Sequence, residues 1–164
     1  SAASDVYKRQ GWVLGEQRLR QAGIAVVSGA GFTALLVVGL KVALGRARPR
    51  VSAASLVFRA PGWDDAYQSF PSGHSALAFL MSSVVASTLE LPSYAQGALY
   101  GVATLTALSR LYHHQHWLSD VVAGALIGWT VGQATAGVLG RAQHTARYEL
   151  FPVPNGVGVR VPLR

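Results

Sequence analysis

The feature that most constrains this chain is a set of long stretches without any Asp, Glu, Lys or Arg. The longest of them cover residues 21–40, 66–89, 91–109 and 121–140. A helix needs about 20 apolar residues to cross a bilayer. Only 13% of the residues are charged, whereas soluble domains average about 25%. The pattern predicts an integral membrane protein and argues against a soluble basic protein that binds nucleic acid.

Four apolar segments fall within these stretches, at residues 22–44, 72–89, 94–108 and 117–139. Each is long enough to be read as a membrane span, although Ser, Thr and Gly make all four only moderately hydrophobic. The connections at 91–93 and 110–116 are short, which predicts antiparallel neighbours. The connection at 46–70 is long and has no spanning pattern. The predicted fold is therefore all-α, a polytopic bundle with four transmembrane helices.

Two sets of glycines recur every four residues within the predicted helices. One set is Gly97 and Gly101, and the other is Gly124, Gly128 and Gly132. Small residues at this spacing share one helix face and let membrane helices approach closely. We expect both sets to lie in helix contacts.

The two ends of the chain are interpreted separately from the bundle. Residues 1–10 end in Asp-Val-Tyr-Lys-Arg-Gln, which is the translation of a common sequencing-library adaptor. We expect this segment to be an assembly artefact and the natural amino terminus to be missing. Residues 11–140 are assigned to the bundle and residues 141–164 to an irregular cytoplasmic tail. Asn155-Gly156 between apolar runs in this tail is typical of a hairpin turn.

The charges predict a topology and then conflict with it. Four crossings place both chain ends on the same side of the membrane. By the positive-inside rule this side is the cytoplasmic one, because the chain ends carry Arg18, Arg20, Arg141 and Arg147. The opposite, outer side then carries as many cations, namely Lys41, Arg46, Arg48, Arg50, Arg59 and Arg110. A topology signal does not explain these outer cations, so they need another reason.

Two groups of residues are expected at the outer ends of the first two helices. Lys41 and Arg48 are seven apart and would face the same way on a helix, with Pro49 marking a boundary near Arg48. Ser72, Gly73 and His74 open the second apolar segment, where free backbone N–H groups suit a phosphate. The alternatives are a snorkelling basic pair at the interface and a capping histidine.

A third group connects the last two segments. His116 and Asp120 are four residues apart, so on a helix they would share a face, and a carboxylate bonded to one imidazole nitrogen leaves the other free. Arg110 is suited to bidentate binding of phosphate oxygens. The alternative is a buried His–Asp pair that only stabilises the bundle. Taken together, the three groups indicate phosphoryl transfer without a metal, since the remaining acidic residues near them, Asp64 and Asp65, do not complete a convincing metal site.

The three groups resemble the three-part signature of the type 2 phosphatidic acid phosphatase superfamily, in order and in spacing. The matching positions are Lys41-x6-Arg48-Pro49, Pro71-Ser72-Gly73-His74 and Ser109-Arg110-x5-His116-x3-Asp120. That superfamily includes lipid phosphate phosphatases, bacterial undecaprenyl-diphosphate phosphatases, glucose-6-phosphatases and vanadium-dependent haloperoxidases. Its membrane enzymes usually have six spanning helices with the site at the outer face, so the four segments here look like the last four.

The resemblance implies a role for each matching residue. His116 would be the nucleophile that forms a phosphohistidine, Asp120 would orient it, and His74 would be the general acid for the leaving group. The phosphate oxygens would be held by Lys41, Arg48, Ser72, Gly73 and Arg110. No metal or other cofactor is implied. The roles of His113 and His114 stay open, because the family pattern treats their positions as variable.

The sequence thus predicts metal-independent hydrolysis of a membrane lipid phosphate or diphosphate. Candidate substrates are phosphatidic acid, phosphatidylglycerophosphate and undecaprenyl diphosphate. The expected partners are this substrate and membrane lipids, with no nucleic acid, in a bacterial inner membrane with the site on the periplasmic face. The main alternative is a non-catalytic membrane protein that binds lipid phosphates. A haloperoxidase-like enzyme and a purely structural bundle fit the charge-free spans and the outer cations less well.

Overall fold

The computed structural model describes residues 2–59, 61–145, 149–153 and 156–160, and side chains within 15–59 and 61–141. Four helices make up the bundle: α1 (Ala2–Leu44), α2 (Gly73–Thr88), α3 (Ser93–Tyr112) and α4 (Leu118–Thr145). The long connection between α1 and α2 contains one 3₁₀ turn, Asp65–Tyr67. Strands β1 (Glu149–Val153) and β2 (Gly156–Arg160) form an antiparallel hairpin after α4.

The predicted helices are confirmed, with shifted ends. Helix α3 continues four residues past the predicted end, so Arg110 lies in its last turn. Helix α4 runs to Thr145, so residues 141–145 of the predicted irregular tail are helical. The hairpin has the position that Asn155-Gly156 predicts, although Asn155 itself lies outside the described residues, as does Arg147. Helix α1 includes residues 2–10, whose interpretation as an artefact stays a prediction.

Helix α2 occupies the centre of the bundle and contacts each of the other three helices, most extensively α4. Its side chains Leu80 and Val84 are fully buried and pack with Ala25 of α1 and Val131 of α4. The antiparallel arrangement of α2 and α3 follows from the four-residue connection between them. The hydroxyl of Ser82 on α2 supports the pair by donating to the carbonyl of Leu99 on α3, at 3.1 Å.

The glycines of α4 lie in close contact with α2. A Cβ atom added to Gly128 would lie 1.9 Å from the carbonyl oxygen of Ala76, and one added to Gly124 would lie 2.3 Å from that of Ser72. This confirms the prediction for α4. The prediction for α3 is wrong within the described residues, because none of them has an atom within 4 Å of a Cβ atom added to Gly97 or Gly101. Spacing alone does not tell which face of a helix is turned toward a neighbour.

Helix α1 ends where the first apolar segment was predicted to end, and before the boundary that Pro49 indicates. Its last residue is Leu44, and Gly45 follows with a positive φ of 56°. The N–H of Gly45 donates to the carbonyl of Lys41 at 3.0 Å, which is the glycine termination common at helix ends. Arg48 therefore lies in extended chain beyond the helix. The expectation that Lys41 and Arg48 share a helix face is wrong, because Gly45 ends the helix before Pro49 does.

Among the residues that the structure describes, two segments are long and apolar enough to cross a membrane, Gly15–Leu44 and Leu118–Arg141. Many of the large apolar side chains on the helices face outward; for example, Leu35 is 76% exposed and Leu105 is 67% exposed. Such surfaces suit a lipid environment, since soluble monomers rarely expose large apolar patches. Helix α2 has 16 residues and is about 24 Å long, which is less than the hydrocarbon thickness. Four crossings remain a prediction.

Candidate active site

One end of the bundle brings the three predicted groups together. The carboxyl ends of α1 and α3 lie there beside the amino ends of α2 and α4, and they surround a cavity of about 520 Å³. Six of the predicted site residues line this cavity: Lys41, Arg48, Gly73, His74, Arg110 and His116. Three of these carry positive charges. The cavity is therefore suited to an anion and has two imidazoles in its wall.

His116 lies just before α4 and is 5% exposed. Its Nδ1 atom is 2.7 Å from the main-chain carbonyl oxygen of Ser69. A carbonyl oxygen only accepts hydrogen bonds, so the ring donates from Nδ1 and, when neutral, carries its lone pair on Nε2. The Ser69 carbonyl thereby fixes the tautomer that a nucleophilic Nε2 requires.

Asp120 is fully buried behind His116 and does not line the cavity. Its Oδ2 atom lies 3.7 Å from Nδ1 of His116, which is within ion-pair reach but too long for a hydrogen bond. The same oxygen accepts from the N–H of Trp117 at 2.8 Å and from the hydroxyl of Ser69 at 2.5 Å. His116 precedes the helix, so the two side chains do not share a helix face as predicted. Instead, Asp120 caps the first turn of α4.

Arg46 is the ion-pair partner of Asp120, and the sequence analysis did not assign it to the site. Its Nη1 atom lies 2.5 Å from Oδ1 of Asp120 and also donates to the hydroxyl of Ser119. Its Nε atom donates to the carbonyl of Ser55 at 2.9 Å. The guanidinium group also lies 5.9 Å from the ring centre of Trp117. This buried cation balances the buried carboxylate, which would otherwise be costly.

The three cations of the cavity differ in how many of their donors are already engaged. Arg48 makes four hydrogen bonds, two with Asp65 and two with Gln115. Lys41 donates to the carbonyl of Gln68. Arg110 bonds through Nε to the hydroxyl of Ser109, and its two terminal nitrogens have no partner among the described residues. Arg110 therefore has the most donors free for an anion.

The amino end of α2 presents free backbone donors to the cavity. Ser72 caps this helix: its side chain accepts from the N–H of Ser75, and its own N–H donates to the carbonyl of Asp120. The N–H groups of Gly73 and His74 have no acceptor within the described ranges. Ser72 itself is buried and does not line the cavity, and its predicted contact with phosphate stays a prediction.

Apolar side chains form one part of the cavity wall. Ala34, Val37 and Val38 contribute one side from α1, and Leu77 contributes the other from α2. The cavity thus joins a polar end, at the helix termini, to an apolar end between two helices. Within the described side chains, no group of three His, Asp or Glu residues is placed to hold a metal ion.

Two residues that contact the predicted site residues were given no role on the sequence. One is Arg46, which appeared only as an unexplained outer cation. The other is Ser69, whose carbonyl binds His116 while its hydroxyl binds Asp120. A signal existed for Arg46, since a cation at the outer end of a membrane helix calls for an anionic partner. No sequence signal identifies a main-chain carbonyl.

Comparison with known proteins agrees with this geometry. The family model of the PAP2 superfamily matches residues 22–143, which include every predicted site residue. The chain belongs to the PAP2 superfamily. A curated relative of this chain is the lipid A 1-phosphatase of Porphyromonas gingivalis, which is 36% identical over 96 residues. The match covers 57% of this chain and 18% of that protein. No solved structure matches the chain significantly.

Proposed function

We propose that this PAP2 protein is a phosphatase that hydrolyses a membrane lipid phosphate or diphosphate without a metal ion. One observation carries the proposal: a single cavity joins three cations and two histidines to an apolar wall between α1 and α2. The cations suit the phosphate, and the apolar wall suits the lipid chain next to it. The lipid A 1-phosphatase relative supports the same reaction class, because its name describes phosphate removal from a lipid.

The proposed reaction begins with attack of His116 on phosphorus. A P–N bond forms at Nε2, and the P–O bond to the lipid breaks. His74 lines the same cavity and gives a proton to the departing oxygen. Lys41, Arg48 and Arg110 stabilise the charge on the phosphoryl oxygens, together with the free N–H groups at the start of α2.

The second half of the reaction releases phosphate. His74, now neutral, removes a proton from water, which attacks the phosphohistidine. The P–N bond breaks, the electron pair returns to Nε2 of His116, and inorganic phosphate leaves. Two easier steps thereby replace one difficult step. The Ser69 carbonyl keeps the same nitrogen of His116 available throughout.

The experiment that tests this proposal is phosphate release by the purified chain in detergent micelles containing EDTA. We expect release from at least one of phosphatidic acid, phosphatidylglycerophosphate, a lipid A 1-phosphate and undecaprenyl diphosphate. Dependence on added Mg²⁺ contradicts the metal-independent mechanism. Binding of these lipids without any release indicates the alternative, a non-catalytic lipid-phosphate-binding membrane protein.

The role of His74 predicts a dependence on the leaving group. His74→Gln is expected to slow hydrolysis of a lipid phosphate by about 10²–10⁴-fold, because a general acid contributes about that much. With an aryl phosphate such as p-nitrophenyl phosphate, the loss is expected to be about tenfold or less, since this leaving group needs little protonation. The measurement is kcat/KM for both substrates in wild type and variant. Equal losses on the two substrates contradict the assignment of His74 as the acid.

We place the protein, as part of the same proposal, in a bacterial inner membrane with the cavity on the periplasmic side. Two apolar helices support a membrane location. The cavity lies at the end of the bundle opposite to Arg18, whose exposed ion pair with Glu90 joins α1 to the connection between α2 and α3. The positive-inside rule favours the cytoplasm for the end that carries Arg18.

A further inference from the structure

Arg46 contacts neither the cavity nor any group proposed to react, yet it is among the most connected side chains near the site. It is 6% exposed. Its side chain holds Asp120 and Ser119 of α4 as well as the carbonyl of Ser55 in the long connection. A merely neutralising cation would need only the carboxylate. The additional contacts fix where the guanidinium group lies.

Arg46 also holds Ser69 from two directions. The backbone N–H of Ser69 donates to the backbone carbonyl of Arg46 at 3.0 Å. The hydroxyl of Ser69 donates to Asp120, whose other carboxylate oxygen is bound by the Arg46 side chain. Arg46 therefore fixes both polar groups of Ser69 that lie beside its carbonyl: the backbone N–H directly, and the hydroxyl through Asp120. That carbonyl is the hydrogen-bond acceptor of His116.

We propose that Arg46 is a positioning residue, which holds Asp120 and the Ser69 carbonyl in the arrangement that orients His116 for attack. In this arrangement Asp120 acts on His116 mainly through Ser69 and through the first turn of α4, rather than by a direct hydrogen bond. The inference rests on the proposed function, because it assigns His116 as the nucleophile. Arg46 occupies a position that the first matching motif leaves variable, and its proposed action on His116 runs through Asp120 and Ser69.

The test compares Arg46→Met with Arg59→Met. Arg59 is a matched control, since it lies in the same connection and also forms an ion pair, with Asp64, but is exposed. For Arg46→Met we expect kcat to fall by about 10²-fold, as misplacement of a reacting group by about 1 Å does, with KM changed less than about twofold. Arg59→Met is expected to keep kcat within about twofold of wild type. A folded Arg46→Met variant with wild-type kcat overturns the proposal.

Two further variants separate positioning from a general structural role. If Arg46 acts through Asp120, the double variant Arg46→Met/Asp120→Asn is expected to be no slower than Asp120→Asn alone, since effects along one path do not add. Multiplied losses overturn the proposal. Arg46→Lys keeps a cation beside the buried carboxylate of Asp120. This variant tests the positioning role if Arg46→Met does not fold. A loss of about threefold or more in kcat at unchanged KM supports positioning, and an unchanged kcat overturns it.

A binding measurement distinguishes failure of this inference from failure of the proposed function. Orthovanadate is the probe, because it adopts the five-coordinate geometry of phosphoryl transfer and needs the attacking nitrogen in place. We expect Arg46→Met to raise its Kd by about tenfold or more, whereas Arg59→Met leaves it unchanged. Wild-type vanadate binding without lipid phosphatase activity contradicts only the proposed function. Wild-type binding by Arg46→Met contradicts only the positioning role.

Discussion

His116→Ala is expected to lower phosphate release by about 10⁵-fold or more, since removal of a covalent nucleophile costs about 10⁶ in comparable enzymes. The cations and the amino end of α2 would still bind substrate, so we expect KM to change little. The measurement is phosphate release in detergent with EDTA. A parallel assay with a ³²P-labelled lipid phosphate follows label on the protein after rapid quenching. The label is expected to survive alkali and to be lost in acid, as a phosphoramidate is.

The matched control is His113→Ala. His113 lies in the same connection between α3 and α4 but is exposed and does not line the cavity. We expect it to retain activity within about twofold, as surface substitutions usually do. Full activity or an unchanged phosphoenzyme in His116→Ala would remove the nucleophile from the mechanism. Equal losses of activity in both variants would show that substitutions in this connection act by disturbing its structure and not by removing the nucleophile.

The second large effect is expected at the contact between α2 and α4. In Gly128→Ala the new Cβ atom would lie 1.9 Å from the backbone carbonyl oxygen of Ala76, which cannot move without moving α2. Overpacking of this kind costs about 1–3 kcal/mol, and a clash with backbone belongs at the upper end. We expect a lower unfolding temperature in detergent. Activity is also expected to fall, because α2 carries Gly73 and His74 at its amino end.

Gly101→Ala is the control for this substitution. It makes the same chemical change in the interior of a helix, but its Cβ atom would meet nothing within 4 Å. Alanine is favoured over glycine in a helix by about 1 kcal/mol, so the unfolding temperature is expected to stay the same or rise. A Gly128→Ala variant as stable as Gly101→Ala would contradict the packing described for α2 and α4.

Much of the architecture could be predicted from the sequence because charge-free stretches of this length leave few alternatives to helices. One prediction that was wrong concerns which face of a helix contacts a neighbouring helix. Gly101 and Gly128 have the same local pattern, yet only Gly128 lies against a neighbour. The end of α1 at Leu44 agrees with the predicted apolar segment, and Gly45 gives its physical reason, since glycine commonly terminates helices. The rule for the residue before Pro49 identified a later boundary that the helix never reaches.

The site was predictable to the extent that its chemistry depends on side-chain type. Arg48, His74 and His116 line one cavity as their motifs require. The hydrogen-bond partner of His116 was not predictable, because every residue has a carbonyl and only the fold decides which one approaches the ring. Arg46 was not assigned to the site for a related reason. Its partner, Asp120, is 74 positions away and had already been assigned to His116.

The pairing of Arg48 has a consequence for how an anion binds. Four of its hydrogen bonds are made to Asp65 and Gln115, which leaves one of the five N–H donors of the guanidinium group free. A phosphate that binds through more than this one N–H would have to displace one of these partners, and its affinity would then depend on the difference between the two sets of hydrogen bonds. Asp65 belongs to the long connection and to none of the matching motifs. Under the proposed function, a substitution at this one loop position would change the affinity for substrate without changing the groups proposed to react.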